Sequence, residues 1–370
     1  MKRALGIAVS CLLAACGGSA TVSSDAADGG APPPPPDGGV SPASCAAPLP
    51  VAVASRDLYG YPPYATEGCA LAYVSPDGDL VLVDAASGAR DTVAPASERP
   101  RRPVLTDVLV AWEATVAGAD VVRVRGRGAS AARTVAVAAA TREPRAFHDV
   151  VVVTAWRTTD ELGATDVYLY DATADATRPI TTGPAQKRFA DVSKDLIAYT
   201  DFSEDPDGRF DDDGKDLADV VVVDRASGVV TRRAAPGKQA FPMLASGAPG
   251  RVAYMSWGEV HPEPKLQAYE LRAGRVDQPA SSDLAIAQVA ASVAAPIRPS
   301  LSPDGTLEWI ATTGSPALMR APIDGSRAPR ATTVGEGSFD LFAPASSAAF
   351  TLVAGRRPRD ATPVLYTLAR

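Results

Sequence analysis

The chain is poor in the residues that most enzyme chemistry draws on. Its 370 residues hold two histidines, His148 and His261, four cysteines and 6% aromatics. No HExxH, GxSxG, P-loop or dinucleotide-binding glycine pattern occurs, so zinc peptidases, nucleophile-elbow hydrolases, phosphate-loop NTPases and nicotinamide enzymes have no motif to rest on. A long amphipathic helical pattern is missing as well. Basic charge is in deficit: 36 Lys and Arg against 43 Asp and Glu leave a net −7. That balance argues against a nucleic acid bound through its phosphates and suits cations, basic partners and solubility.

Apolar residues make up 46% of the chain, mostly Ala and Val, with mean hydropathy near zero. This is enough for a large core in a soluble domain. Short Val-rich runs broken by Gly, Pro, Asp and Ser are the pattern of strands joined by turns. Within successive runs a small residue precedes an aromatic: Ala72-Tyr73, Ala111-Trp112, Ala155-Trp156, Ala198-Tyr199, Ala253-Tyr254 and Ala349-Phe350, with a degenerate copy at Glu308-Trp309. Subtracting the aromatic positions gives steps of 39, 44, 43, 55, 55 and 41 residues, which bracket the length of a four-stranded propeller blade. Pro-containing strands precede several copies, around Pro103, Pro144, Pro242 and Pro299, and third strands end at Asp84, Asp171 and Asp224. Where Gly88 or Gly228 follows, D-x-x-S-G forms a hairpin turn, because Asp and Ser bond nearby backbone and Gly accepts positive φ. The prediction is an all-β fold, a β-propeller of four-stranded blades. Seven blades are expected, with six or eight as alternatives and a β-sandwich as the competing architecture.

Ser302-Pro303-Asp304-Gly305, Leu196-Ile197-Ala198-Tyr199 and Asp224 to Gly228 resemble the consensus of the TolB-type, WD40-like propeller repeats. The resemblance runs from about Tyr59 to the C terminus, although most first strands lack the full SPDG. It implies a propeller of six to eight blades. It leaves function open, since the family spans periplasmic scaffolds, peptidase accessory domains, lyases and lipoproteins.

The N-terminal residues MKRALGIAVSCLLAAC combine a basic start with an apolar run, Ala4 to Ala15, too short to span a bilayer, which marks a secretory leader. Leu13-Ala14-Ala15-Cys16 resembles the bacterial lipobox, which implies cleavage before Cys16, a lipid on its thiol and acylation of the new N terminus. Several acyl chains anchor stably where one would not; an ordinary secreted protein with a chance cysteine is the alternative. Gly17, where an Asp would imply inner-membrane retention, points to the outer membrane. Residues 1–15 are thus expected to be a signal peptide, 16–44 a lipidated Cys and disordered tether with a stiff stretch at Pro32 to Pro36, and 45–370 the propeller. Loss of Lys2 and Arg3 takes the net charge from −7 to −9.

Cys45 and Cys69 then remain in an oxidising compartment, and a disulfide is the default, with a metal pair or a catalytic thiol as alternatives. The last unit stops at its third strand, so the segment from Leu49 is expected to supply the fourth and close the ring. Cys45 lies just before that segment, so the disulfide would staple the closure.

The densest charge lies between the second and third strands of the fourth unit, where Asp201 to Asp219 includes nine carboxylates. Asp205, Asp207, Asp211, Asp213 and Asp216, with Gly208 and Gly214 for sharp turns, resemble calcium-binding loops. The EF-hand spacing is absent, and a solvated acidic loop is the alternative. Loops of this kind emerge on one face of a propeller, where Asp160, Glu161, Trp257 and His261 form the expected binding surface for a protein or glycan. Strand aromatics such as Trp156 are expected in the core. No catalytic residue is assigned. The sequence supports a lipid-anchored cell-envelope binding or scaffold module, calcium being its only candidate cofactor. A propeller hydrolase or lyase acting on an envelope polysaccharide or peptide is the alternative; a peptidase of the propeller-bearing kind would also need a hydrolase domain.

Overall fold

The computed structural model describes residues 45, 51–55, 60–135, 137, 140–160, 162–210, 217–234, 238–257, 268–289, 297–312, 315–334, 340–357, 359–360 and 362–370. The expected leader, Cys16, the expected tether, Glu161, Asp211, Asp213, Asp216 and His261 lie outside these. The described chain forms seven antiparallel sheets, each a blade, and the first strands of the blades form the wall of a central channel. Blade one is typical: Tyr64–Glu67, Ala70–Val74, Leu80–Asp84 and Arg90–Ala94 pair in chain order from the channel outwards.

Burial explains the composition. Second strands are covered on both faces by neighbouring blades, so they read as continuous apolar runs without alternation; every residue of Ala70–Val74, Val150–Trp156 and Leu196–Asp201 is buried. Fourth strands lie at the rim, and Ala176–Pro179 is exposed throughout. Each of the seven joints between adjacent blades carries its own apolar core; that between blades one and two holds Leu80 and Trp112, both fully buried. Ring closure follows the expected route. Val51 and Ala52 pair with Leu365 and Val364 as the outermost strand of blade seven, while that blade's first strand is split into Asp340–Leu341 and Ala345–Ser346. A disulfide joins Cys45 to Cys69 with the Cα atoms 5.5 Å apart, linking the closing strand to the first turn of blade one.

Register corrects part of the repeat. Ala111 of blade two faces Val104, the first pair beyond a bulge, and the same place is held by Val152 opposite Arg145, Ala198 opposite Asp191, and Ala253 opposite Met243. Trp112 therefore corresponds to Val153, not to Trp156 three residues on. In blade seven the pairing of Ala345 with Leu352 puts Val353, not Phe350, at that place. Small-aromatic pairs recur in any buried strand, and only pairing fixes which one is equivalent. Ser-Pro-Asp-Gly is equally ambiguous. At Ser302 it turns the first strand of blade six into the second, and at Ser75 it turns the second strand of blade one into the third, with Gly305 and Gly78 both at positive φ. The D-x-x-S-G turns close as expected: Asp84 and Asp224 each accept two backbone N–H groups from the turn, ahead of Gly88 and Gly228 at φ 72.

Candidate binding site in the central channel

Bulges in the first strands build the channel. In blades two to five the register breaks between Arg101 and Val104, Arg142 and Arg145, Arg188 and Asp191, and Ala240 and Met243. Each break holds a non-glycine residue at positive φ: Arg102, Glu143, Phe189 and Phe241. Such a backbone costs about 1 kcal/mol or more per residue and re-aims the side chain. The neighbouring blade supports it. The N–H of Glu143 donates to Glu113 Oε1 at 2.6 Å, that of Phe189 to Glu143 Oε2 at 3.1 Å, and that of Phe241 to Thr200 Oγ1 at 3.2 Å. Glu113 also takes Arg101 at 2.7 Å and Arg102 at 3.0 Å, and Glu143 takes Arg188 at 2.6 Å. Burial pushes the Glu143 carboxyl up, but the Arg188 guanidinium, the Arg102 charge and the Phe189 N–H together hold it below its usual range.

Tyr61, just ahead of blade one, lies across the channel with three guanidinium groups over its ring: Arg102 at 4.6 Å, Arg298 at 4.8 Å and Arg145 at 5.2 Å. Towards the long-loop end the channel is packed with aromatics. Phe189 meets Phe241 at 4.2 Å and Phe210 at 5.3 Å, and Trp257 packs at a tilt against Phe241 and Tyr269. At the other end it opens as a cavity of about 430 Å³ lined by the C-terminal ends of first strands from all seven blades. Second strands run antiparallel to first strands, so the loops after them, which include the acidic loop, belong to the packed end.

The expected face residues are separately held. Asp160 is exposed and accepts the N–H of Leu162 at 3.0 Å within its own loop. Trp257 is half-buried, with Lys238 Nζ 5.6 Å from its ring. Asp205 binds its loop through both oxygens, accepting N–H groups of Asp207, Gly208 and Leu217, and these bonds lower its pKa although burial opposes them. Asp207 accepts the N–H of Arg209 at 3.0 Å. Among the described residues no group of three or more metal-ligating side chains converges, so a calcium site in this loop would depend on the Asp residues outside them. His148, on the cavity rim, pairs with Asp107 at 2.8 Å.

Tyr61, Arg102, Arg145, Asp191 and Arg298 were not singled out from the sequence. The available signal was the residue before the repeated proline, which reads Arg102-Pro103, Glu143-Pro144, Phe241-Pro242 and Arg298-Pro299.

No protein-family model and no curated protein matches the sequence. Solved structures do match. The β-propeller domain of the Trilobed protease from Pyrococcus furiosus is 11% identical over 84% of this chain and 96% of that one, with a TM-score of 0.55. The fold is a seven-bladed β-propeller. That protease domain is described as having an open velcro topology, whereas here Val51–Ala52 closes the last blade. The acylaminoacyl peptidase of Pyrococcus horikoshii is 12% identical over 84% of this chain, with a TM-score of 0.58, and the match spans 51% of the peptidase. TolB from Acinetobacter baumannii is 14% identical over 73% of this chain and 65% of that one, with a TM-score of 0.48. The chain thus spans less than two thirds of the length of either of these two relatives.

Proposed function

We propose that the chain is a binding module of the cell envelope, held to a membrane through a lipid on Cys16 and a tether over residues 16–44, with the propeller over 45–370 receiving its ligand in the central cavity. The observation that carries this reading is the cavity itself. All seven blades contribute to its wall, and its size falls within the range that encloses small ligands. Of the carboxylates on its wall, Asp107 is paired with His148 and Asp191 accepts the N–H of Leu244, while Glu113 and Glu143 behind the wall hold arginines and bulge N–H groups. The packed end, with Asp160 and Trp257 on its loops, is the surface for a protein or glycan partner.

Two measurements test this. Native mass spectrometry of the protein after exposure to an envelope extract is expected to find a small molecule that Ser300→Trp, adding bulk on the cavity wall, prevents from binding; binding undiminished in that variant would refute the cavity. Cys16→Ser is expected to move the protein from the membrane to the soluble fraction and to abolish labelling by a fatty acid. Retention with labelling would refute the anchor.

A further inference from the structure

Most arginines around the channel are spoken for. Arg101 and Arg102 share Glu113, and Arg188 is bound to Glu143. Arg145 and Arg298 are not: neither makes an ion pair or hydrogen bond among the described residues, and their contacts are with aromatic rings. Arg298 is 4% exposed, and its Nη1 is buried without an acceptor; the buried hydroxyl of Tyr61, beneath both guanidinium groups, has no partner either. Burial and the Arg298 charge push Arg145 down to about 10, which leaves it cationic at neutral pH.

Asp191 and Glu143 both act on Arg145, and Glu143 is already bound to Arg188. Asp191 accepts the N–H of Leu244 at 2.8 Å, and burial raises its pKa while Arg145 and Arg298 lower it. It bonds to neither guanidinium, so both keep donors to offer an anion; Glu67 and Asp107 also line the cavity, Asp107 paired with His148. Above this floor the wall is mixed, with Val104, Leu105, Val192, Met243 and Leu244 beside polar groups such as Thr66, Ser193 and Ser300.

We infer that the cavity binds a small organic monocarboxylate, its carboxylate accepting from Arg145, Arg298 and the Tyr61 hydroxyl and its apolar body lying against Val104, Leu105 and Leu244. The inference rests on the cavity being the binding site and adds the chemical class of the ligand. A buried donor without an acceptor is costly, and a planar guanidinium matches a carboxylate in geometry and charge. The apolar side chains in the wall favour an organic acid over a hydrated inorganic anion.

Calorimetry at fixed ionic strength with benzoate, butyrate, inorganic phosphate and the neutral isostere benzamide tests it. Benzoate and butyrate are expected to bind at least tenfold more tightly than phosphate or benzamide. Arg298→Met and Arg145→Met should each weaken benzoate at least tenfold, and Tyr61→Phe severalfold. Asp191→Asn should tighten it severalfold by removing the competing carboxylate, a gain that damage to the fold would not produce, and melting curves check that each variant is folded. Binding of benzamide as tight as that of benzoate would overturn the inference and leave the cavity as a binding site. The inference also fails if neither carboxylate binds, or if benzoate binds equally well to both arginine variants.

Discussion

Arg233 and Arg298 are both buried, at 1% and 4% exposure, and they differ in nearly everything else. Arg233, on the last strand of blade four, enters blade five. It meets Asp283 through two nitrogens, one at 3.1 Å, and donates to the carbonyls of Arg275 at 2.8 Å and Gln278 at 3.0 Å. Tyr254 completes the group by donating to Asp283 at 2.7 Å. Gly274 leaves the room, for a Cβ there would lie 1.6 Å from Asp283 Oδ1. Arg298 has aromatic faces and no acceptor. A buried charge with every bond made joins two blades; one with bonds left over has chemistry to offer a ligand.

The comparison is open to direct attack. Asp283→Ala is expected to cost about 3–5 kcal/mol in urea unfolding, because it strands a buried guanidinium; a loss below about 1 kcal/mol would put the two arginines in one class. Glu143→Ala should cost about 3 kcal/mol, because Arg188 and the Phe189 N–H lose their acceptor together. Asp205→Ala is expected to cost about 1 kcal/mol, read as a lower urea midpoint, through loss of its loop bonds. Arg298→Met should change stability by less than about 1 kcal/mol or raise it, since no bond made by the chain is lost. A cost of several kcal/mol there would mean that the charge serves the fold.

Alkaline titration adds a check on the cores around blades one, four and five. Burial raises the phenols of Tyr64, Tyr254 and Tyr269 well above 10.0, and burial with the Asp201 charge lifts Tyr199 to about 12. A folded pKa above the unfolded one gives stability that is complete below pH 10 and is lost as pH rises from there through the folded value. Ultraviolet absorbance should therefore show these four phenols ionising only with unfolding. Their titration near pH 10 in the folded chain would contradict the packing.

The repeat was legible because it is a property of period. Buried second strands must be apolar along their length and turns need Asp, Ser and Gly, so blade length and turn positions appear in the sequence at 84–88 and 224–228. Equivalence between blades was not legible at Trp156 and Phe350, since pairing decides register and several alignments place an aromatic in a buried run. The acidic loop drew notice through its local density of charge. The arginine floor drew none, because Tyr61, Arg145, Asp191 and Arg298 are spread over more than half the chain and converge only at the axis.

By itself, then, the sequence determined the strands, the turns and a repeat of blade length, and made seven blades and a Cys45–Cys69 bond the expectation, because these depend on local pattern and spacing. Only the tertiary structure decided which end of the channel is packed with aromatics and which is open, and which buried charges find partners. Those outcomes depend on seven first strands meeting around one axis, and residues distant in the chain become neighbours only when the ring closes through Val51 and Ala52.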